Sequence, residues 1–146
     1  MEQPTNPHDG ASEAELFVLG EGLENIPPVE SLSPAGLAYI GDAVYELYVR
    51  LHYLLPPKHI SDYHQQVVSK VRAEKQAQQL EALKPHLTDA EKEIVKRGRN
   101  ATTRPPRRLS AKIYQQATSL ETLVGYLFLR DRARLKALLL WLKEYE

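Results

Sequence analysis

From Ser33 onward, apolar residues recur along this chain at helical spacing and divide it into a succession of helices. Leu37, Ile40, Gly41, Val44, Leu47, Tyr48 and Leu51 follow i, i+3, i+4 steps, which place them on one stripe of a helix. Ser33 can cap its start, Pro34 suits the first helical position, and Pro56-Pro57 must stop it. A second helix is expected from Ser61 or Asp62 to about Leu83, and a third opens at Thr88, with Asp89 and Glu91 in its first turn, and closes at Gly98. Periodicity then lapses over Arg99–Arg108, which contains Pro105-Pro106 and reads as a loop. Ser110 caps a short helix to about Gln116, and two more helices follow, Thr118–Arg130 and Asp131 to about Tyr145. No segment alternates with the period of a strand, so the expected class is all-α.

The first helix is unusual in that its other side is apolar too, with Ala35, Ala38, Tyr39, Ala43 and Val49, which predicts a helix buried all round. Its one charge between Glu30 and Glu46 is Asp42, and the one charge between Lys112 and Arg130 is Glu121, inside the apolar run LETLVGYLFL. An unpaired buried carboxylate is costly enough that each needs a cation, a donor or a metal ion, and one shared divalent ion would answer both. Gly41 precedes Asp42 and Gly125 lies one turn after Glu121; each is unfavourable by about 1 kcal/mol against Ala inside a helix, and each lets a neighbouring helix come close. Glu46, one turn after Asp42, is a third candidate acid. Structural roles remain open at this stage: Thr118-x-x-Glu121 fits a capping box, and Asp42 could pair with an arginine.

Charge separates the chain into two parts. The 19 Lys and Arg balance 19 Asp and Glu overall, but residues 1–32 hold seven acids and no Lys or Arg, so the remainder carries all 19 bases against 12 acids, a net +7. Residues 1–30, with Pro4, Pro7, Pro27 and Pro28, read as an acidic, flexible extension, and residues 31–146 as the folded domain. The bases concentrate in Lys96, Arg97, Arg99, Arg104, Arg107, Arg108 and Lys112, with no acid between Glu93 and Glu121; this is either an anion-binding surface or a solvated loop. Asn100, within the cluster, adds a donor for sugar or phosphate.

The 146 residues contain no Cys, which removes disulfides, thiol nucleophiles and Cys-based zinc sites and favours a reducing compartment. The longest unbroken apolar stretch, Ala137 to Leu142, is far short of the roughly 20 residues of a membrane span, so a soluble protein is expected. His59 and His64 lie on different faces of any helix, and no His pair has i, i+4 metal spacing; His64 reads as a packed or interface residue. Gly20-x-Gly22 lacks the rest of a nucleotide fingerprint, and neither G-x-S-x-G nor a P-loop occurs.

LAYIGDAVYELYVR, residues 37–50, resembles the first signature of ribonuclease III nuclease domains, and LETLVGYLFL, residues 120–129, resembles their second acidic helix. The likeness covers about residues 32–142. KRGRNA, residues 96–101, the spacing of the three segments and a chain without a following double-stranded-RNA-binding domain are similar to the Mini-ribonuclease III branch. The resemblance implies an all-helical, homodimeric endoribonuclease that cuts double-stranded RNA with Mg²⁺ and matures the ends of large-subunit (23S-type) ribosomal RNA precursors, in the cytoplasm or the plastid stroma. Asp42 and Glu121 match the signature acids and would be the catalytic, metal-binding pair, with Glu46 and Thr118 in support. Full-length enzymes of the family carry further acids at positions that fall here on the uncharged Ala35, Ala38 and Thr118. The alternative reading is a non-catalytic ribonuclease III-like domain that binds structured RNA or serves as a ribosome-associated scaffold.

Overall fold

A computed structural model describes residues 27–57, 59–60, 69–102, 104–107 and 109–145, with the side chains of α2 described from Arg72 on. Among these, five α-helices and no strand occur: α1 (Pro34–His52), α2 (Ser69–Leu83), α3 (Asp89–Asn100), α4 (Ala111–Arg130) and α5 (Arg132–Tyr145). Short 3-10 turns cover Val29–Ser31 and Lys84–His86. The all-α expectation therefore holds. The expected start of the second helix, and His64 with it, fall outside the described residues.

The helix starts follow local chemistry. The Ser33 side chain accepts from the Gly36 N–H, with Pro34 at the first position of α1, and the Ser110 side chain accepts from Ile113 N at the start of α4. Thr88 and Glu91 form a full capping box on α3, each side chain satisfying the other's backbone N–H. At α5 the Asp131 carboxylate accepts from Arg134 N at 3.0 Å.

α4 is the axis of the helical unit Leu32–Glu146 and packs against each of the other four helices. From Ser119 to Leu127 every residue is buried except Glu121, which is half-buried. Leu37 and Tyr45 of α1, Ala73, Ala77, Leu80 and Leu83 of α2, Ile94 of α3, and Leu135, Leu138 and Leu142 of α5 complete the core around it.

Three expectations are corrected. Residues 111–130 form one helix rather than two, so Thr118 is an interior residue and not a cap. Neighbouring hydroxyls are satisfied inside the helix: Thr122 Oγ1 donates to the Thr118 carbonyl and Ser119 Oγ to the Gln115 carbonyl, both at 2.7 Å. α1 is not buried all round. Leu37, Gly41 and Tyr45 face the core, whereas Tyr39, Leu47 and Leu51 are 80%, 54% and 60% exposed. An apolar stripe records that a face is destined for cover and does not say whether the same chain supplies it. Finally, α3 continues past Gly98 to Asn100, which places Arg99 and Asn100 in its last turn rather than in the loop.

Among the described residues, no helix is long and apolar enough to cross a membrane.

Candidate active site

The site begins at two glycines. A Cβ on Gly41 would strike the Glu121 carbonyl and the Gly125 nitrogen, and a Cβ on Gly125 would strike the Leu37 carbonyl and the Gly41 nitrogen. The backbones of α1 and α4 therefore meet directly, with no side chain between them, as the two isolated glycines foretold. Because Asp42 follows Gly41 and Glu121 stands one turn before Gly125, this crossing brings the two acids together, and their carboxyl groups share a hydrogen bond.

The pair is electrostatically uneasy. Burial pushes the Glu121 carboxyl up, and the charge of Asp42 and the hydrogen bond to it add to the effect, while Arg72 opposes; the result is a pKa of about 8. Asp42 itself is no buried acid. Its side chain is 57% exposed and pairs with Arg72, whose Nη2 donates to Asp42 Oδ1 at 2.6 Å and to the Asp42 carbonyl at 3.2 Å. The expectation of two acids sunk in two buried helices is thus corrected: one lies at the rim, the other half-buried beneath it. The donor set nonetheless fits a hard divalent cation, since two carboxylates forced together favour either a proton or a metal ion between them.

Arg72 is the residue that sequence reasoning missed. Its guanidinium lies 5.3 Å from the Tyr45 ring centre, and Tyr45 donates its buried hydroxyl to Gln79 Oε1 at 2.6 Å. The usable signal was the inward stripe of α2 marked by Ala73, Gln76, Ala77, Leu80 and Leu83, with Arg72 at its edge.

The other candidates are distributed around this centre. Glu46 accepts from Arg50 Nη2 at 2.8 Å, one turn along α1. Thr118 is half-buried, its carbonyl engaged by Thr122. Gly98 of α3 packs against Ser119 and Thr122, the same turn of α4 that carries Glu121, so the end of α3 with Lys96, Arg97, Arg99 and Asn100 lies at the level of the carboxylates. Lys96, Arg99, Asn100, Arg104, Arg107 and Lys112 are exposed. Arg97 is half-buried and donates to the Leu32 carbonyl at 3.4 Å, and Arg108 lies outside the described residues. Among the described residues, no group of three or more His, Asp or Glu gathers at a possible metal position, so the site rests on two carboxylates.

Among the described residues, the least exposed acid is elsewhere. Glu91 accepts from Arg134 Nε and Nη2, both at 3.0 Å, and Arg134 Nη2 also donates to the His86 carbonyl at 2.7 Å. That network ties the start of α3 to the start of α5.

The Ribonuclease III domain family matches residues 35–132 of this chain. A Mini-ribonuclease 3 from Synechocystis is 61% identical over 113 residues, 77% of this chain and 79% of that protein. One from Thermoanaerobacter is 40% identical over 114 residues, 76% of this chain and 80% of that protein. A crystal structure of a protein from Fusobacterium nucleatum is similar with a TM-score of 0.70 at 29% identity, covering 80% of this chain and 95% of that one.

Proposed function

We propose, from the premise that this chain belongs to the ribonuclease III family of endoribonucleases, that it cuts double-stranded RNA in a Mg²⁺-dependent reaction at Asp42 and Glu121, and that its substrate is a large-subunit (23S-type) ribosomal RNA precursor. The observation that carries this reading is the meeting of these two carboxyls across the Gly41–Gly125 crossing. Asp42 and Glu121 are the residues that would hold the ion, as a hard cation takes carboxylate oxygens. When bound, Mg²⁺ supplies a water of lowered pKa and charge stabilisation for the leaving oxygen.

The protein's own residues do the rest. Glu121 would have to give up its proton for a cation to take the place beside Asp42, so occupancy of the site should rise with pH up to about 8. Lys96, Arg99, Asn100, Arg104, Arg107 and Lys112, and Arg97 and Arg108 with them, would grip phosphates of an A-form duplex. Such a duplex is recognised through shape, phosphates and 2′-hydroxyls rather than base edges. Glu46 and Thr118 would support the pair from neighbouring turns of α1 and α4. The exposed Tyr39, Leu47 and Leu51 of α1, with Leu54, Leu55 and Ile60 beyond it, supply the apolar surface for a homodimer, in which two sites would address two strands. We place its work in the cytoplasm, or in the plastid stroma of a photosynthetic eukaryote.

The test is incubation of the full chain with a defined RNA duplex, with and without Mg²⁺, beside Asp42→Asn. Cleavage by the unsubstituted protein alone, and only with the metal, is expected. A duplex bound with salt-sensitive affinity but left uncut would overturn the reading in favour of a non-catalytic RNA-binding scaffold.

A further inference from the structure

We propose that Arg72 is a positioning residue of this site, which fixes the Asp42 carboxylate in place before a cation or RNA arrives; the proposal rests on the reading of Asp42 and Glu121 given above. Three observations carry it. Arg72 grips Asp42 at two points, the carboxylate oxygen Oδ1 at 2.6 Å and the main-chain carbonyl at 3.2 Å, so the side chain is held relative to its own backbone. Arg72 is itself held: its side chain is only 17% exposed, against 57% for Asp42, and lies 5.3 Å from the Tyr45 ring centre. Tyr45 is in turn fixed to Gln79 of α2 by a buried 2.6 Å hydrogen bond. The result is a closed loop in which α2 contributes Arg72 and Gln79, and α1 contributes Asp42 and Tyr45.

Two other roles fit this geometry poorly. An ion pair with an exposed carboxylate adds little to stability, which gives no reason to bring an arginine under cover for it. A phosphate clamp reaches into solvent, whereas this guanidinium is committed to an acid and lies close to an aromatic ring. What the arrangement does supply is order. The Asp42 side chain is 57% exposed and would otherwise be free to rotate, whereas two carboxylates share a ligand only when both face it. Outer partners that orient metal ligands in this way typically matter by about 10–100-fold in metal affinity or activity.

The experiment compares the unsubstituted protein with Arg72→Met, Arg72→Gln, Arg72→Lys and Asp42→Asn. It measures duplex-RNA cleavage as kcat and KM, the salt dependence of RNA binding, and Mn²⁺ binding to the RNA-free protein by electron paramagnetic resonance. The expected result is a fall in kcat of about 10–100-fold for Arg72→Met and Arg72→Gln. KM and the salt slope should stay near their original values, Mn²⁺ should bind more weakly, and Arg72→Lys, which keeps the positive charge on a shorter side chain, should recover part of both losses. Loss of fold in Arg72→Met leaves the Gln and Lys variants to decide the matter. Unchanged kcat and Mn²⁺ binding in Arg72→Gln would overturn the proposal, as would a raised KM with a flatter salt slope at constant kcat, which would make Arg72 a phosphate contact. Asp42→Asn separates the two readings. Full cleavage by that variant removes the site itself, whereas an inactive Asp42→Asn beside a fully active Arg72→Gln removes Arg72 alone.

Discussion

Glu91 and Glu121 are both glutamates in contact with α4 or its neighbours, both drawn out of water, and their surroundings move them in opposite directions. Burial pushes Glu91 up, but two hydrogen bonds from Arg134, the bonds to Thr88 and the arginine charge outweigh it, and its pKa settles below the ordinary carboxylate value. The same desolvation acts on Glu121, where a second carboxyl, Asp42, adds to it; among the described residues the helpful charge is Arg72, which is committed to Asp42, and the pKa climbs to about 8. A corner that exists for stability answers its acid with donors. A raised carboxylate pKa at a close helix crossing is what an acid kept for binding would show, and it marks Glu121 as the candidate.

The largest difference should appear on neutralising the two acids of the site. Asp42→Asn and Glu121→Gln each remove ligand charge with little change in volume, and cleavage should fall by more than about 100-fold, beyond the usual range for losing a mere supporting partner. Stability should hold or rise, since folding no longer has to take up a proton to place Glu121 beside the Asp42 charge. Thermal unfolding and single-turnover cleavage of a duplex check both halves, and retained activity in either variant would remove that residue from the site.

Glu91→Gln should give the reverse, with cleavage per folded molecule preserved and stability lowered by up to about 3 kcal/mol, because Arg134 is left without its buried counter-charge. The two acids also predict opposite pH slopes. Glu91 has a depressed folded pKa, so its contribution is present above the ordinary carboxylate range and is lost as pH falls through that depressed value. Glu121 has a raised one. Between its unfolded value near 4.5 and about 8 the folded state keeps a proton that the unfolded chain has lost, so the metal-free protein should lose stability as pH rises through that window. Urea unfolding across this range should show the decline in the unsubstituted chain and its absence in Glu121→Gln.

How much of this could be read in the sequence depended on the range of the interaction. Helix starts at Ser33, Thr88 and Ser110 are local chemistry and were legible, as was the glycine crossing, because Gly41 and Gly125 are each a local penalty without a local reason. Thr118 misled because a Thr followed three residues later by Glu has the same local signature whether it begins a helix or lies inside one. Asp42–Arg72 and Glu91–Arg134 join residues 30 and 43 positions apart, and only the packing of the helices brings them together. The crossing can be tested on its own: Gly41→Ala or Gly125→Ala should destabilise by about 1–3 kcal/mol, as overpacking does, and should impair cleavage beyond that loss by parting the carboxyls. Normal cleavage in a folded Gly41→Ala variant would separate the glycine contact from the chemistry.

The smallest effects belong to arginines of a third kind. Arg134 and Arg72 are committed to carboxylates, whereas Arg99, Arg104 and Arg107 are exposed at the end of α3 and in the loop beyond it. If these three meet phosphates, each contact releases counterions, so single replacement by Ala should weaken duplex binding and reduce the slope of log affinity against log salt by about one. Sequence preference should be unaffected, since phosphates carry no base information. Fold stability should change by no more than about 0.5 kcal/mol, the usual range for exposed positions. Arg97 provides the internal contrast. Half-buried and bonded to the Leu32 carbonyl at 3.4 Å, it should disturb stability more and the salt slope less when replaced. Filter binding across a salt series, with thermal unfolding of the same variants, ranks all four, and an unchanged slope in the three exposed variants would leave this stretch as an ordinary solvated run of charge.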